Sequence, residues 1–372
     1  MSGQHVVYGF LRPMSRWAIP EHTITVLHYE DERPPADLLE RGVKTIEVPQ
    51  RWKAWYKRIW WETTRLAPVI REHQCDAMLN VSGALAPRCP VPQVVLCQNP
   101  WCYIPLAHRG VKDRLKARLQ RFGYARAFRD SALIIYISKH LQDLYRRGNP
   151  GVSEAASAVA YVGIDDDTFQ VAKQLTGEPR EPLTILSVSA MAHWKGAHTL
   201  VDAVKLLHDR QIPAILKLVG PWPDSDYEQR IRRQVASLGL ESSVQFLGRV
   251  SDDKLHHLYA TSRVFCLMSG CESYGIPAAE AMTFGTPVIS TDCCAIAEIC
   301  AGAGQFGPVN NPPWTADALQ IAFTEKELWR TWSNRARTNA VELTWDKCAK
   351  AFLQLPELIA HANSRLPSHQ IR

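Results

Sequence analysis

The chain has 372 residues, with 43 Lys or Arg against 37 Asp or Glu, a formal charge of +6 with neutral histidines. At roughly 100–200 residues per domain, that length suggests two domains with sizeable cores. Hydrophobic residues are 46% and charged residues 22%, as in ordinary folded chains, which excludes a disordered segment, a collagen-like repeat and a disulfide-stapled miniprotein. No run approaches the roughly 20 consecutive apolar residues needed to span a bilayer. The start, Met-Ser-Gly-Gln-His, lacks the basic residues and apolar run of a secretory signal, so a cytoplasmic protein is expected. The ten cysteines include no Cys-x-x-Cys pair, and several lie inside apolar runs. They read as buried reduced thiols, and a disulfide between the adjacent Cys293 and Cys294 would be strained.

In chain order, residues 6–11, 23–28, 45–48, 77–81, 94–97 and 133–137 read as strands, with helices over 54–73, 109–130 and 138–147. Polar, helix-breaking residues across 165–182 mark a domain boundary. Beyond it, short apolar runs at 183–189, 214–219, 244–248, 264–268 and 287–290 alternate with amphipathic stretches at 197–209, 226–238 and 252–261. That alternation is the pattern of βαβ units in a parallel sheet. A last helix is expected from about 346 to 363. Two Asp-x-Asp pairs, Asp165/Asp167 and Asp224/Asp226, fall in turn-like stretches and read as solvated loops, so no metal ligand is assigned.

Residues 269–291 read Ser-Gly-Cys-Glu-Ser-Tyr-Gly-Ile-Pro-Ala-Ala-Glu-Ala-Met-Thr-Phe-Gly-Thr-Pro-Val-Ile-Ser-Thr, a strand end, loop, helix, turn and strand. Pro277 suits the first helical position and Gly285 the left-handed position that ends a helix. The amides of Gly275 and Ile276 then point from a helix N-terminus, a ready site for phosphate. Glu272 precedes that helix and Glu280 lies in its first turn. Two carboxylates so placed can accept hydrogen bonds from the vicinal hydroxyls of a ribose or hexose, and a surface Glu followed by a helix-terminal Glu is the bland alternative.

The whole string resembles the signature of retaining GT-B-type glycosyltransferases of family four, the glycosyl transferases group 1, with Tyr274 in the aromatic slot. Trp194-Lys195-Gly196 is similar to the family's Lys-Gly step, and Phe246-Leu-Gly-Arg-Val250 resembles the loop beside the nucleobase. The resemblance covers about residues 60–350. It implies an α/β GT-B fold: two Rossmann-like doubly wound domains facing across a cleft, and a C-terminal helix crossing back to the N-terminal domain. The implied divisions are an acceptor-binding domain over 1–168, a nucleotide-sugar domain over 169–350, and a helix and tail over 351–372.

The same resemblance implies transfer of a hexosyl unit from a nucleotide-diphospho-sugar to a hydroxyl acceptor, with no cofactor and no obligatory metal. Lys195 would hold the diphosphate, Glu272 the donor sugar and Glu280 the ribose, with Gly275, Ile276, Tyr274, Arg249 and Val250 also on the donor side. The sequence departs from the family at three points. Ser189 and Ala190 stand where a second diphosphate-binding arginine is usual, with Arg249 a candidate substitute. Gln98 and Asn99 replace a sugar-side histidine, and Gly9-Phe10-Leu11-Arg12 has one glycine where a Gly-Gly loop is usual. A GT-B-shaped binding protein with decayed catalysis and a nucleotide-sugar epimerase are the alternatives.

Residues 109–129 hold eight basic residues against Asp113, with Val111, Leu115, Leu119, Phe122 and Phe128 at helical spacing. Residues 51–61 interleave Trp52, Trp55, Tyr56, Trp60 and Trp61 with Arg51, Lys53, Lys57 and Arg58. Either a core aromatic cluster with a solvated basic face is expected, or peripheral docking on an anionic inner membrane face that presents a lipid-linked acceptor. No nucleic-acid partner is expected.

Overall fold

The computed structural model describes residues 3–19, 21–357 and 359. They form two compact units, one of Met1–Tyr103, Gly110–Gly163 and Trp345–Arg372, the other of Ile104–Arg109 and Ile164–Thr344.

In the first unit, strands β1 (Thr25–Tyr29) and β2 (Lys44–Val48) pair with each other in parallel. Strands β3 (Met78–Asn80), β4 (Gln93–Cys97), β5 (Leu133–Tyr136) and β6 (Ser157–Val159) form a separate four-stranded parallel sheet in sequential order. β4 and β5 are apolar along almost their whole length and buried, as strands covered on both faces must be. Ser138 starts the helix Lys139–Gly148, its hydroxyl accepting from the Leu141 amide at 3.1 Å.

Two expectations for this unit are corrected. Residues 6–11 are not a strand but part of the helix Gly3–Ala18. Their β-branched and aromatic types favour a strand locally, yet Val6 and Phe10 recur four apart and bury one helix face. Phe10 meets the Trp345 ring edge-on at 5.2 Å and the Phe352 ring at 4.8 Å, and Gly9 leaves room for the Trp345 indole where a Cβ would strike it. Nor is the segment expected as one helix from 346 continuous: a short helix, Trp345–Cys348, gives way to a 3-10 stretch, Ala349–Gln354. It packs on the Gly3–Ala18 helix, and the expected tail from 360 onward lies outside the described residues.

The second unit holds six parallel strands: β7 (Glu181–Val188), β8 (Ile215–Val219), β9 (Val244–Gly248), β10 (Ser262–Leu267), β11 (Val288–Thr291) and β12 (Gly304–Gly307). Their order is β12-β11-β10-β7-β8-β9. Chain order therefore reverses between β7 and β10, the topological switch point of a doubly wound sheet. Ile185, Leu216, Leu218, Val264, Cys266 and Ile289 project from the strands into one continuous core and are inaccessible to solvent.

Candidate functional site

In an open α/β sheet, ligands lie beyond the carboxyl ends of the strands at the switch point, which here means the loops after β7 and β10. After β7 the chain makes a 3-10 turn, His193–Lys195, and then enters the left-handed region at Gly196, φ +76°. Only glycine fits there, because a Cβ would run into the Met268 carbonyl. That close approach lets the Gly270 amide donate to the Trp194 carbonyl at 2.8 Å, which ties the two loops together. The consequence is an ion pair between Lys195 Nζ and the Glu272 carboxylate, with side chains only 17% and 11% exposed. An ammonium has three donors, and this pair occupies one of them. The arrangement can hold a polyanion and a polyhydroxyl group side by side.

Gly275 occupies the left-handed region at φ +96° and ψ +50° and starts the helix Ile276–Thr283. A Cβ there would strike the Ile296 side chain. Tyr274 is buried, and Pro277 is the second residue of the helix rather than the first, still in the turn where no amide is missed. Glu280 falls in the second turn rather than the first. Its carboxylate accepts from the buried Tyr259 hydroxyl at 2.9 Å. Burial pushes the Glu280 carboxyl up to about 7, against the pull of the Tyr259 hydrogen bond and with Asp165 and Asp252 adding to the rise. The two carboxylates thus have different partners: Glu272 answers to an ammonium, Glu280 to a phenol.

Arg180, which the sequence reading passed over, organises the ground beneath Glu280. Its guanidinium donates to Ser262 O at 2.6 Å, Phe284 O at 2.6 Å, Thr286 Oγ1 at 2.8 Å and Tyr259 O at 3.3 Å. It thereby fixes the ends of the helices that carry Tyr259 and Glu280. Burial, with help from Arg337 and Arg263, pushes it down to about 10. Its place in a polar linker, Gly177-Glu-Pro-Arg180, disguised it as a solvated loop residue.

Arg249 and Val250 follow β9, two strands from β7 on the same carboxyl edge, with Arg249 exposed. Gln98 and Asn99 follow β4 in the other unit. There Gln98 Nε2 donates to Val81 O at 3.5 Å and Asn99 Oδ1 accepts from the Trp101 amide at 2.9 Å.

A second missed feature is that Ile104–Arg109 belongs with the second unit. A Cβ on Gly270 would meet Leu106, and Arg109 forms an ion pair with Asp224. Asp224 also accepts from the Asp226 and Tyr227 amides at 3.1 Å each, capping the helix Ser225–Ser237. Asp165 likewise precedes a helix, Asp166–Gln174. Both Asp-x-Asp pairs are therefore helix starts rather than solvated loops.

The helix Gly110–Asp130 buries Ala117, Tyr124, Ala127 and Phe128. Val111, Leu115, Leu119 and Phe122 occupy the opposite face, 80%, 70%, 66% and 75% exposed. The expectation that these four join Phe128 on one face is corrected: Phe128 turns inward and they turn outward. At about 100° per residue, Lys112 and Arg118 stand roughly 60° to either side of the stripe's centre. In the helix Trp55–Thr64 no residue is buried, and Trp55, Tyr56, Ile59 and Trp60 are exposed, so these are not a core cluster, whereas Trp61 packs against buried Leu66, Ile70 and Ala86. No helix among the described residues is long and apolar enough to cross a membrane.

Residues 169–339 match the family model described as glycosyl transferases group 1. The chain is 29% identical over 214 residues to a D-inositol 3-phosphate glycosyltransferase of Jonesia denitrificans, covering 56% of this chain and 50% of the relative. It is 29% identical over 209 residues to a phosphatidyl-myo-inositol mannosyltransferase of Mycobacterium leprae, covering 55% and 54%. The chain thus spans about half the length of the curated relatives it matches. Among solved structures, Anabaena HepE in complex with UDP and glucose superposes with a TM-score of 0.65 at 18% identity, covering 98% of this chain and 96% of that one.

Proposed function

We propose that the chain, which has the GT-B fold and matches the glycosyl transferases group 1 model over residues 169–339, is a retaining glycosyltransferase of that family that moves a hexosyl unit from a nucleotide-diphospho-sugar to a hydroxyl acceptor. The observation that carries this reading is the Lys195–Glu272 ion pair at the switch point, beside the helix start at Gly275 and Ile276. In the transfer, negative charge grows on the departing diphosphate and positive charge on the anomeric carbon. Lys195 and the Gly275 and Ile276 amides stabilise the former, in a setting where fixed donors act more strongly than in water. Diphosphate competes with Glu272 for the ammonium, and Glu272 then accepts from hydroxyls of the donor sugar. Glu280 accepts from the ribose, Tyr274, Arg249 and Val250 complete the donor side, and Gln98 and Asn99 take the acceptor side. The reaction is proposed to need no metal, so EDTA leaves the rate unchanged.

Release of nucleoside diphosphate from a donor panel, with and without acceptor, tests the reading. A transferase accelerates with acceptor and its product keeps the anomeric configuration. No release from any donor means a binding protein, and interconversion of donor sugars means an epimerase.

The acceptor is proposed to be membrane-linked, in glycolipid or cell-surface polysaccharide synthesis. The name of the phosphatidyl-myo-inositol mannosyltransferase relative agrees with this, and so does the outward apolar stripe of Gly110–Asp130 between Lys112 and Arg118. Apolar side chains flanked by cations suit the boundary of an anionic bilayer. Cosedimentation with vesicles of phosphatidylglycerol and phosphatidylcholine at low salt, lost in Leu115→Glu/Leu119→Glu, is the expected result. Equal cosedimentation of that variant removes the stripe from the reading.

A further inference from the structure

Of the ten cysteines, Cys293 alone is exposed, while Cys75 and Cys89 are half-buried and the other seven are buried. Cys293 and Cys294 form the turn after β11, with sulfurs 3.7 Å apart. Both approach the Ser269 carbonyl, at 3.9 Å for Cys293 and 3.4 Å for Cys294, and that oxygen already accepts from Thr291 Oγ1 at 2.6 Å. A carbonyl has two lone pairs, so the third and most distant donor, the Cys293 thiol, is held least. With its own proton gone, Cys293 accepts from the Cys294 thiol 3.7 Å away, and that contact holds it below the usual thiol range although burial and Asp292 oppose it. Burial pushes Cys75 and Cys89 the other way. The pair also borders the site: the Glu272 carboxylate and backbone both act on the Cys294 sulfur, and Ser269 lies three residues before Glu272 in one loop.

We propose that Cys293 is a covalent modification site that exchanges with external disulfides, with Cys294 as the thiol that supports it, and that its adduct displaces the Glu272-bearing loop. The Cys293 thiolate attacks one sulfur of a disulfide of the glutathione class and forms a mixed disulfide. The original S–S bond breaks, and the departing thiolate carries away the electron pair and takes a proton from water. Cys294 does not resolve the adduct internally. Adjacent α-carbons are about 3.8 Å apart, short of the roughly 4.4–6.8 Å that a relaxed disulfide spans. The adduct therefore persists until an external thiol removes it. The effect on sugar transfer rests on the proposed function, whereas the thiol chemistry does not.

The probe is dithionitrobenzoate on the full chain at pH 6.5, with wild type, Cys293→Ser and Cys294→Ala. The expected result is one fast equivalent of thionitrobenzoate, slowed about tenfold or more in Cys293→Ser. In Cys294→Ala, which removes the supporting thiol, the reaction is slowed more at pH 6.5 than at pH 8.5. Amide exchange over 268–276 rises in the adduct, the thermal shift given by UDP falls, and dithiothreitol restores both; Cys293→Ser keeps its UDP shift after treatment. Equal rates for wild type and Cys293→Ser at pH 6.5, or an adduct with unaltered loop exchange, overturn the proposal. A chain that binds no nucleotide overturns the donor reading instead, and the thiol rates with loop exchange still decide on Cys293.

Discussion

The two units put their apolar and charged residues to different use. In the second, six strands in one sheet bury a continuous core, and its loops bring one lysine and one glutamate into contact at the switch point. In the first, β1 and β2 pair apart from the four-stranded sheet, and a row of aliphatic and aromatic side chains is left facing outward on Gly110–Asp130. A switch-point site needs charges fixed within a few ångströms, which packing enforces. A surface that meets a soft, extended partner needs only area and sign of charge. Under the proposed function, burial marks the donor site in one unit and exposure marks the membrane-facing stripe in the other.

The sharpest attempt to break that contrast is at the ion pair. Lys195→Ala is expected to lower kcat by about 10²–10³, the scale for losing one donor to a developing anion. It also leaves Glu272 with no countercharge in a largely closed setting, at a cost of about 3–5 kcal/mol in urea unfolding. Lys195→Ala/Glu272→Ala should recover much of that stability and none of the rate. If the single variant kept wild-type turnover, the switch-point pair would be structural only.

Arg180→Leu comes next. Four oxygens lose a donor at once, although Tyr259 O keeps the Thr286 hydroxyl, and a loss of about 3 kcal/mol is expected in thermal or urea unfolding. Nucleotide affinity should fall with it, because the Tyr259–Glu280 contact rests on the helix ends that Arg180 holds.

A smaller effect sharpens the donor side by pH. Glu280 is raised in the folded chain, to about 7, so its protonated form is the one folding favours. Stability from this group is full below the unfolded carboxyl value and is lost as pH rises through about 7; Glu280→Gln should flatten that slope. The proposed contact of Glu280 with the ribose, by contrast, needs the ionised acceptor, so UDP affinity should rise through the same range. Tyr259→Phe removes a bond that pulls the carboxyl down and should move the midpoint of UDP binding to higher pH. An unmoved midpoint would detach Glu280 from the nucleotide.

How much of this was legible in the sequence follows the same divide. In the second unit the expected helix at 252–261 matches Asp252–Thr261, and the expected strand ends lie within two residues, because short connections and a single hydrophobic period leave few alternatives. Lys195 and Glu272 were each legible through the family's motifs, Lys195 in its Lys-Gly step and Glu272 as one of two carboxylates with Glu280, but their ion pair was not, because it depends on two loops meeting across Gly196 and Gly270. In the first unit Val6 and Phe10 were misread, since what makes 3–18 a helix is Trp345 and Phe352, more than 330 residues later in the chain. Arg180 was invisible for a like reason: three of its four acceptors are carbonyls, which no side-chain pattern announces. Cys293 and Cys294 were noticed as neighbours, but not their shared carbonyl.

The smallest expected effect falls within one helix. Phe122 and Phe128 differ by six residues on Gly110–Asp130, yet Phe122 is 75% exposed and Phe128 2%. Phe128→Ala removes a filled core position and should cost about 3–5 kcal/mol in urea unfolding. Phe122→Ala removes side-chain area that water already reaches, so its stability should stay within about 0.5 kcal/mol of wild type. If the outward stripe serves a lipid surface, Phe122→Ala should nonetheless weaken binding to anionic vesicles, and the loss should be greatest at high salt, where the contribution of Lys112 and Arg118 is screened and the apolar contact must carry the attachment. A Phe122→Ala protein that unfolds earlier by several kcal/mol would mean that the stripe is covered by the chain's own residues, and the contrast between the two units would fail at its weakest point.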